Sequence, residues 1–184
     1  MCGQSMEGKR IEFEVLALQH MEPLYGTALR MTHDGTEAQD LVQDVYLRAY
    51  RFFDQFEKGT NFKAWLFKIL KNVYINKYRK QARLPKMVNI SNAGMFTDLA
   101  KTKTPENEIF DKLLDDDITS AVSSLPEEFR LAVILSDIQG FSYKETAEIL
   151  GCPIGTVMSR LHRGRKLLRI SLRGYARKRG YIRN

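Results

Sequence analysis

The residues with chemical reach in this chain are hydrogen-bond donors rather than nucleophiles. From Phe141 to Arg163 the sequence reads as two short helices around a tight turn at Gly151-Cys152-Pro153. The second helix carries Met158, Ser159, Arg160, His162 and Arg163 on its exposed N-terminal half. Arginine can donate twice to a guanine edge and serine can donate or accept, so such a helix suits the major groove of DNA. Arg165, Lys166 and Arg169 follow on the same helix and suit phosphates, which position a protein without reading sequence. Met158 lacks a strong donor and offers only apolar contact, for example to a thymine methyl. An ordinary helical hairpin with a basic exterior is the competing reading. The acid-free run from Arg160 to Asn184 favours DNA over it.

A second candidate lies far upstream, where Phe62 to Asn72 interleaves aromatic rings with lysines. Unpaired bases stack on aromatic faces while Lys and Arg track the backbone, so melted DNA is a plausible ligand. A lone tryptophan on an amphipathic helix belongs more often to the core, and Trp65 is assigned there. The contact candidates are therefore the solvent-facing Lys63, Lys68, Asn72, Asn76, Arg79 and Lys80.

Charge supports both readings. The net charge is +7 and unevenly placed: Lys58 to Arg83 contains no Asp or Glu, whereas acids outnumber bases between Asp98 and Glu128. Separate blocks of one sign point to a polyanion partner. Cys2 and Cys152 are far apart and form no CxxC pair, which argues against a disulfide framework or zinc site and fits a reducing compartment. His162 has no partner at metal-ligand spacing. No apolar run is long enough for a membrane span, and Met1 to Arg10 lacks the core of a secretory signal. A cytoplasmic protein without membrane insertion is expected. Paired metal-binding carboxylates, a phosphate-cradling glycine loop and an activated nucleophile are all missing, so neither enzyme activity nor a cofactor or metal is expected. A stand-alone regulator that binds operator DNA as a dimer remains the alternative.

The elements that must position these residues read as helices. Phe13, Leu16, Ala17, Met21, Leu24, Tyr25, Ala28 and Leu29 recur at helical spacing, with Pro23 starting or bending a helix. Thr36 to Gln39 fits a capping box for a helix from about Glu37 to Phe53, whose buried stripe is Ala38, Leu41, Val42, Val45, Ala49 and Phe52. Thr60 or Asn61 caps a long helix from Phe62 to about Ala82, with Trp65, Leu66, Ile69, Val73, Ile75 and Tyr78 as apolar contacts. Met87 to Thr104 has no clear period and reads as a linker, and a helix resumes near Pro105. Ser124 to Glu128 starts another, and Ser142 with Glu145 forms a further capping box. Ala147 permits close helix approach, Gly151 supplies a positive φ, and Ile149, Val157 and Leu161 pack the motif. The expected fold is all-α: two small helical domains, 1–83 and 118–184, joined by a flexible linker, 84–117, the second domain a helix-turn-helix.

Taken together, these motifs resemble a bacterial RNA polymerase sigma factor of the extracytoplasmic-function class, over about Phe13 to Arg173. The resemblance implies that Asp40, Gln43, Asp44 and Tyr46 face the clamp of the largest subunit of core RNA polymerase. It implies that the 62–80 helix captures the melted minus-ten element of promoter DNA. The loop from Phe56 to Lys63, including Asn61, would receive a flipped base, with Asn72 nearby. It further implies that the helix-turn-helix reads the minus-thirty-five element, that the polymerase flap is a second docking point, and that an anti-sigma protein is a partner. Linking two weak DNA sites raises overall affinity when the geometry allows both.

Overall fold

The computed structural model describes residues 6–83 and 116–182, and within these every regular element is helical. Residues 84–115 of the expected linker, and the helix expected near Pro105, lie outside the described residues, while Asp116 and Asp117 at the linker's expected end already belong to a helix. In chain order the elements are α1 (Met6–Leu18), α2 (Met21–Thr32), α3 (Gly35–Arg51), a 3₁₀ turn (Phe53–Gln55) and α4 (Phe62–Arg83). After the undescribed stretch come α5 (Asp116–Ser123), α6 (Glu127–Val133), a π-helical turn (Ile134–Ile138), α7 (Tyr143–Leu150), α8 (Ile154–Ser171) and α9 (Arg173–Lys178).

The 13–29 periodicity resolves into two helices, with Pro23 in the first turn of α2, where its missing N–H costs nothing. His33 ends α2 in the left-handed region at φ 61°. The cap of α3 differs from the expected Thr36 box. Asp34 holds that position, its carboxylate accepting from the Glu37 N–H at 2.8 Å, so the helix starts at Gly35. The expected stripe on α3 is buried except for its last member. Phe52 is 43% exposed and Phe53, one residue on, takes the core position. The 3₁₀ turn alters the helical register there.

Phe53, Phe56 and Phe62 join Phe13, Tyr46 and Tyr50 in an aromatic cluster, with ring centroids 5–6 Å apart and mostly edge-to-face. This cluster anchors both ends of the loop before α4. Trp65 is half-buried and lies tilted on Phe56 and Phe62, at the margin of that core. On the inner face of α4, Leu66, Phe67, Leu70 and Val73 are buried.

The C-terminal helices build a smaller core from Leu125, Ala132, Val133, Val157 and Leu161. Helices α6 and α8 cross closely at Gly164, where an added Cβ would lie 2.9 Å from a Val133 methyl. Ser142 and Glu145 form the expected capping box on α7, and Gly151 ends that helix at φ 66°. Leu131, Leu135, Phe141 and Ile149 turn away from this core and complete the one formed by α1 to α4.

His33 also bridges the two groups of helices. Its Nε2 lies 2.9 Å from Nη1 of Arg130, which in turn donates to the Ser123 carbonyl at 3.1 Å. A guanidinium only donates, so the imidazole must accept and be neutral. Burial, then the Arg130 charge, holds the His33 pKa below its usual 6.5. The folded chain therefore favours the neutral ring, and this contribution is complete above pH 6.5 and lost as the pH falls. Denaturation midpoints measured on either side of pH 6.5 should differ more for the parent than for His33→Asn, since asparagine tolerates the left-handed backbone but loses the contact.

Thr146 is fully buried, and its Oγ1 has no hydrogen-bond partner among the described residues. Thr146→Val keeps the shape and removes the unsatisfied hydroxyl, so it should stabilise the chain by about 1 kcal/mol in urea denaturation. Gly164→Val should do the opposite, lowering stability by roughly 1–3 kcal/mol or more through overpacking against α6.

Candidate nucleic-acid interface

Helix α8 is held at the turn by Val157 and Leu161, both buried, which fixes what faces outward. Met158 is 53% exposed, and Ser159, His162 and Arg163 are exposed beside it. Ser159 Oγ donates to the Thr156 carbonyl at 2.9 Å, within the first turn of its own helix. Glu128 and Asp137 from the preceding helices engage the other two expected contact residues. Arg160 is half-buried and donates to Glu128 at 3.1 Å. Arg165 makes a two-pronged contact with Asp137, at 2.6 and 3.1 Å, and donates to the Tyr143 hydroxyl at 3.2 Å. These bonds, the Asp137 carboxylate first, raise the Arg165 pKa above its ordinary value. Two arginines thus brace α8 from behind, while Met158, Ser159, His162 and Arg163 form its outward face.

The π turn is what brings Asp137 to Arg165. Its i to i+5 bond, Gln139 N–H to Ile134 carbonyl at 2.9 Å, inserts an extra residue into the helical spiral. Asp137 then faces α8, while Gln139 faces α2 and α4. Nothing in the local sequence marks this turn.

On α4, Lys68, Asn72 and Asn76 are exposed along one side, with Lys71 donating to Asn72 Oδ1 at 3.1 Å. Arg79 and Lys80 belong to the last turns of α4, whose side chains lie outside the described set. Asn61 caps α4, its Oδ1 accepting from the Ala64 N–H at 3.1 Å. Its amide nitrogen donates to Glu145 of α7 at 2.7 Å. Lys63 is half-buried, donates to the Gln139 carbonyl at 2.8 Å and lies 4.9 Å from the Phe141 ring centre. Burial lowers its pKa, with Glu145 pulling the other way. The loop that presents these residues turns at Gly59, φ 91°, and Phe56 and Phe62 pin its two ends in the core.

A third surface lies on α3. Asp40, Gln43 and Asp44 are exposed on one face, and Leu47, 70% exposed, continues it at the next helical step. Leu47 was not singled out from the sequence; its i+3 and i+4 spacing from Asp44 and Gln43 is the signal that could have found it. Tyr46 turns inward instead. Its hydroxyl donates to the Ala17 carbonyl at 3.1 Å, and burial pushes its pKa up to about 12. It fastens α3 to α1.

Residues 16–84 match the model of Sigma-70 region 2, and residues 115–168 match that of Sigma-70 region 4. The chain is 30% identical to the RNA polymerase sigma-H factor of Pseudomonas aeruginosa, over 88% of this chain and 86% of that one. It is also 30% identical to the ECF RNA polymerase sigma-E factor of Haemophilus influenzae, over 88% of each chain. It belongs to the ECF RNA polymerase sigma factors. It is also 36% identical to the ECF RNA polymerase sigma factor SigE of Mycolicibacterium smegmatis, spanning 85% of itself and 60% of that protein. Among solved structures, the sigma factor RpoE in complex with the anti-sigma factor NepR from Bartonella quintana matches with a TM-score of 0.71 and 33% identity. That match covers 88% of this chain and 97% of the other. CnrH, solved with the cytosolic domain of CnrY, shares the fold at a TM-score of 0.62 and 22% identity. The sigma factor is thus a non-enzymatic protein that directs transcription initiation by RNA polymerase. Among the described residues of this sigma factor no helix is long and apolar enough to cross a membrane.

If Asp137 and Arg165 act as one brace, Asp137→Asn and Arg165→Gln should each lower the melting temperature and the double variant should add little more. The coupling between two partly exposed groups should be on the order of 1 kcal/mol in a double-mutant cycle.

Proposed function

We propose that this sigma factor works in the cytoplasm by docking on core polymerase through the α3 face and reading a promoter at two places. Asp40, Gln43 and Asp44, with Leu47 beside them, form the docking face for the clamp of the largest subunit. Tyr46 supports that face from within. The loop with Asn61, and the α4 residues Lys63, Lys68, Asn72, Asn76, Arg79 and Lys80, serve the melted minus-ten element. Met158, Ser159, His162 and Arg163 read the minus-thirty-five duplex, with Arg160 and Arg165 setting the angle of α8. Stretches 1–83 and 118–184 are the two functional units, with 84–117 spanning between them inside the polymerase. The flap of core is the second docking point, and an anti-sigma protein is a partner, as for the 33% identical RpoE.

The observation that carries this reading is the exposed face of α8. A helix pinned by Val157 and Leu161 presents donors and one apolar side chain outward, with no acid among them. Linking two weak DNA contacts through one scaffold multiplies their affinity, and only the assembled complex holds both at promoter spacing.

Mixing the protein with core polymerase and sequencing the 5′ ends of the transcripts tests the whole reading. Starts should cluster downstream of one recurring pair of elements, and random starts would refute it. In that assay Arg163→Ala should weaken promoter binding by about 1–3 kcal/mol and relax the upstream element at one position. A uniform loss on every sequence would make Arg163 a phosphate contact instead. Asp44→Arg should weaken binding to core on the order of tenfold or more by reversing the charge of the docking face. Unchanged affinity for core would remove α3 as the docking face.

A further inference from the structure

Past Arg163, helix α8 turns an apolar row outward. Gly164 and Leu168 face the core with Val157 and Leu161, so helical spacing sends Leu167 and Ile170 the other way, 40% and 65% exposed. The spiral hardly breaks where α8 ends. The Leu172 N–H donates to the Leu168 carbonyl and the Ala176 N–H to the Leu172 carbonyl, both at 2.8 Å, so α9 carries the same face onward. Gly174 comes next on that face, one turn beyond Ile170, and a Cβ there would meet nothing within 4 Å. Gly180 closes α9 at φ 74°, and Tyr181 and Ile182 add two exposed apolar side chains at that end. By the same spacing Lys166, Arg173 and Arg177 border the row on one side. All three are exposed and make no ion pair among the described residues. No Asp or Glu occurs from Arg160 to Asn184.

From this arrangement we infer that the end of α8, with α9, binds the surface of an anionic lipid bilayer. The positive charge alone would suit DNA equally well, so the apolar row decides. Ile170 lies two turns past Arg163, about 10 Å further along the axis. Phosphates and sugars there give an isoleucine side chain nothing to be buried in. A bilayer meets both needs at once. Its headgroup phosphates take Lys166, Arg173 and Arg177, and the acyl boundary a few ångströms below takes Leu167, Ile170 and Ile182. Long basic side chains lay their stems along the apolar layer while their charged ends stay at the phosphates. A tyrosine such as Tyr181 suits that boundary, since its ring is apolar and its hydroxyl wet. The absence of side chain at Gly174 lets the helix lie close to the surface. The contact runs in the plane of the membrane and needs no spanning segment. It is also independent of how the first turns of α8 read DNA.

Flotation of the full chain with lipid vesicles tests this. The protein should rise with vesicles of phosphatidylglycerol and phosphatidylcholine in equal parts, stay behind with phosphatidylcholine alone, and lose its binding as salt is raised. Leu167→Gln with Ile170→Gln keeps every charge and should weaken vesicle binding about tenfold or more, while binding to a mixed-sequence DNA duplex stays within about twofold. Arg173→Gln with Arg177→Gln keeps the apolar row and should also weaken vesicle binding about tenfold or more, at roughly fivefold for each charge removed near an anionic surface. If the first pair loses helix by circular dichroism, Ile170→Gln with Tyr181→Ser, at the two most exposed positions of the row, carries the same expectation with a smaller loss. Failure to float with phosphatidylglycerol overturns the inference. Unchanged vesicle binding by the glutamine variants of the row leaves only adsorption by charge and overturns it too. An equal loss of duplex binding in those variants would assign the row to DNA instead.

Discussion

Phe67 has no access to water because Phe141, from the other half of the chain, stands against it. Helices α1 to α4 fold around a core that their own residues leave open on one side. Leu131, Leu135, Phe141 and Ile149 close it. A helical unit of this size buries a modest fraction of its surface, so one uncovered aromatic face weighs heavily against so small a core. The rest of the arrangement follows. The π turn lies where it must to deliver Phe141, α7 begins beside Asn61, and α8 is carried outward with its polar face free.

Similar side chains are set apart by their surroundings. Helix α8 carries several basic residues within a few turns, and sequence alone groups Arg160 with Arg163 and leaves Arg165 to the phosphates. Glu128 and Asp137 separate them. Arg160 and Arg165 are tied back to α6 and the π turn, which orients the helix, while Arg163 stays on the outward face. Tyr46 differs in the same way from Asp40, Gln43 and Asp44. It lies on the same helix, yet its hydroxyl is used to bind α1.

What could be read from the sequence was mostly local. The Ser142–Glu145 box, the left-handed Gly151 and the Ile149, Val157 and Leu161 packing all came out as expected, because each depends on residues within a turn or two. The all-α fold was legible for the same reason. Where two local solutions compete, the pattern is ambiguous: Asp34 and Thr36 both suit a helix start, and the tertiary entry of the chain favoured Asp34. Phe52 and Phe53 differ by a single step of the spiral, and the 3₁₀ turn decided which one points inward. The bonds of Arg160 to Glu128, Arg165 to Asp137 and Asn61 to Glu145 were illegible, since their partners lie 32, 28 and 84 residues away. Lys63 looked like a solvent-facing cation for want of any sign that Gln139 would reach it.

The wide turn at Ile134–Ile138 holds one residue more than an ordinary helical turn would between Ile134 and Gln139. Deleting that residue would turn the bond between the Gln139 N–H and the Ile134 carbonyl into an ordinary i to i+4 bond, and the helices beyond would keep their places. The residues inside the turn would not, since each takes a new step of about 100° on the spiral and Asp137 leaves the side that faces Arg165. The extra residue is therefore recorded in one ion pair, while the packing before and after it is indifferent to it.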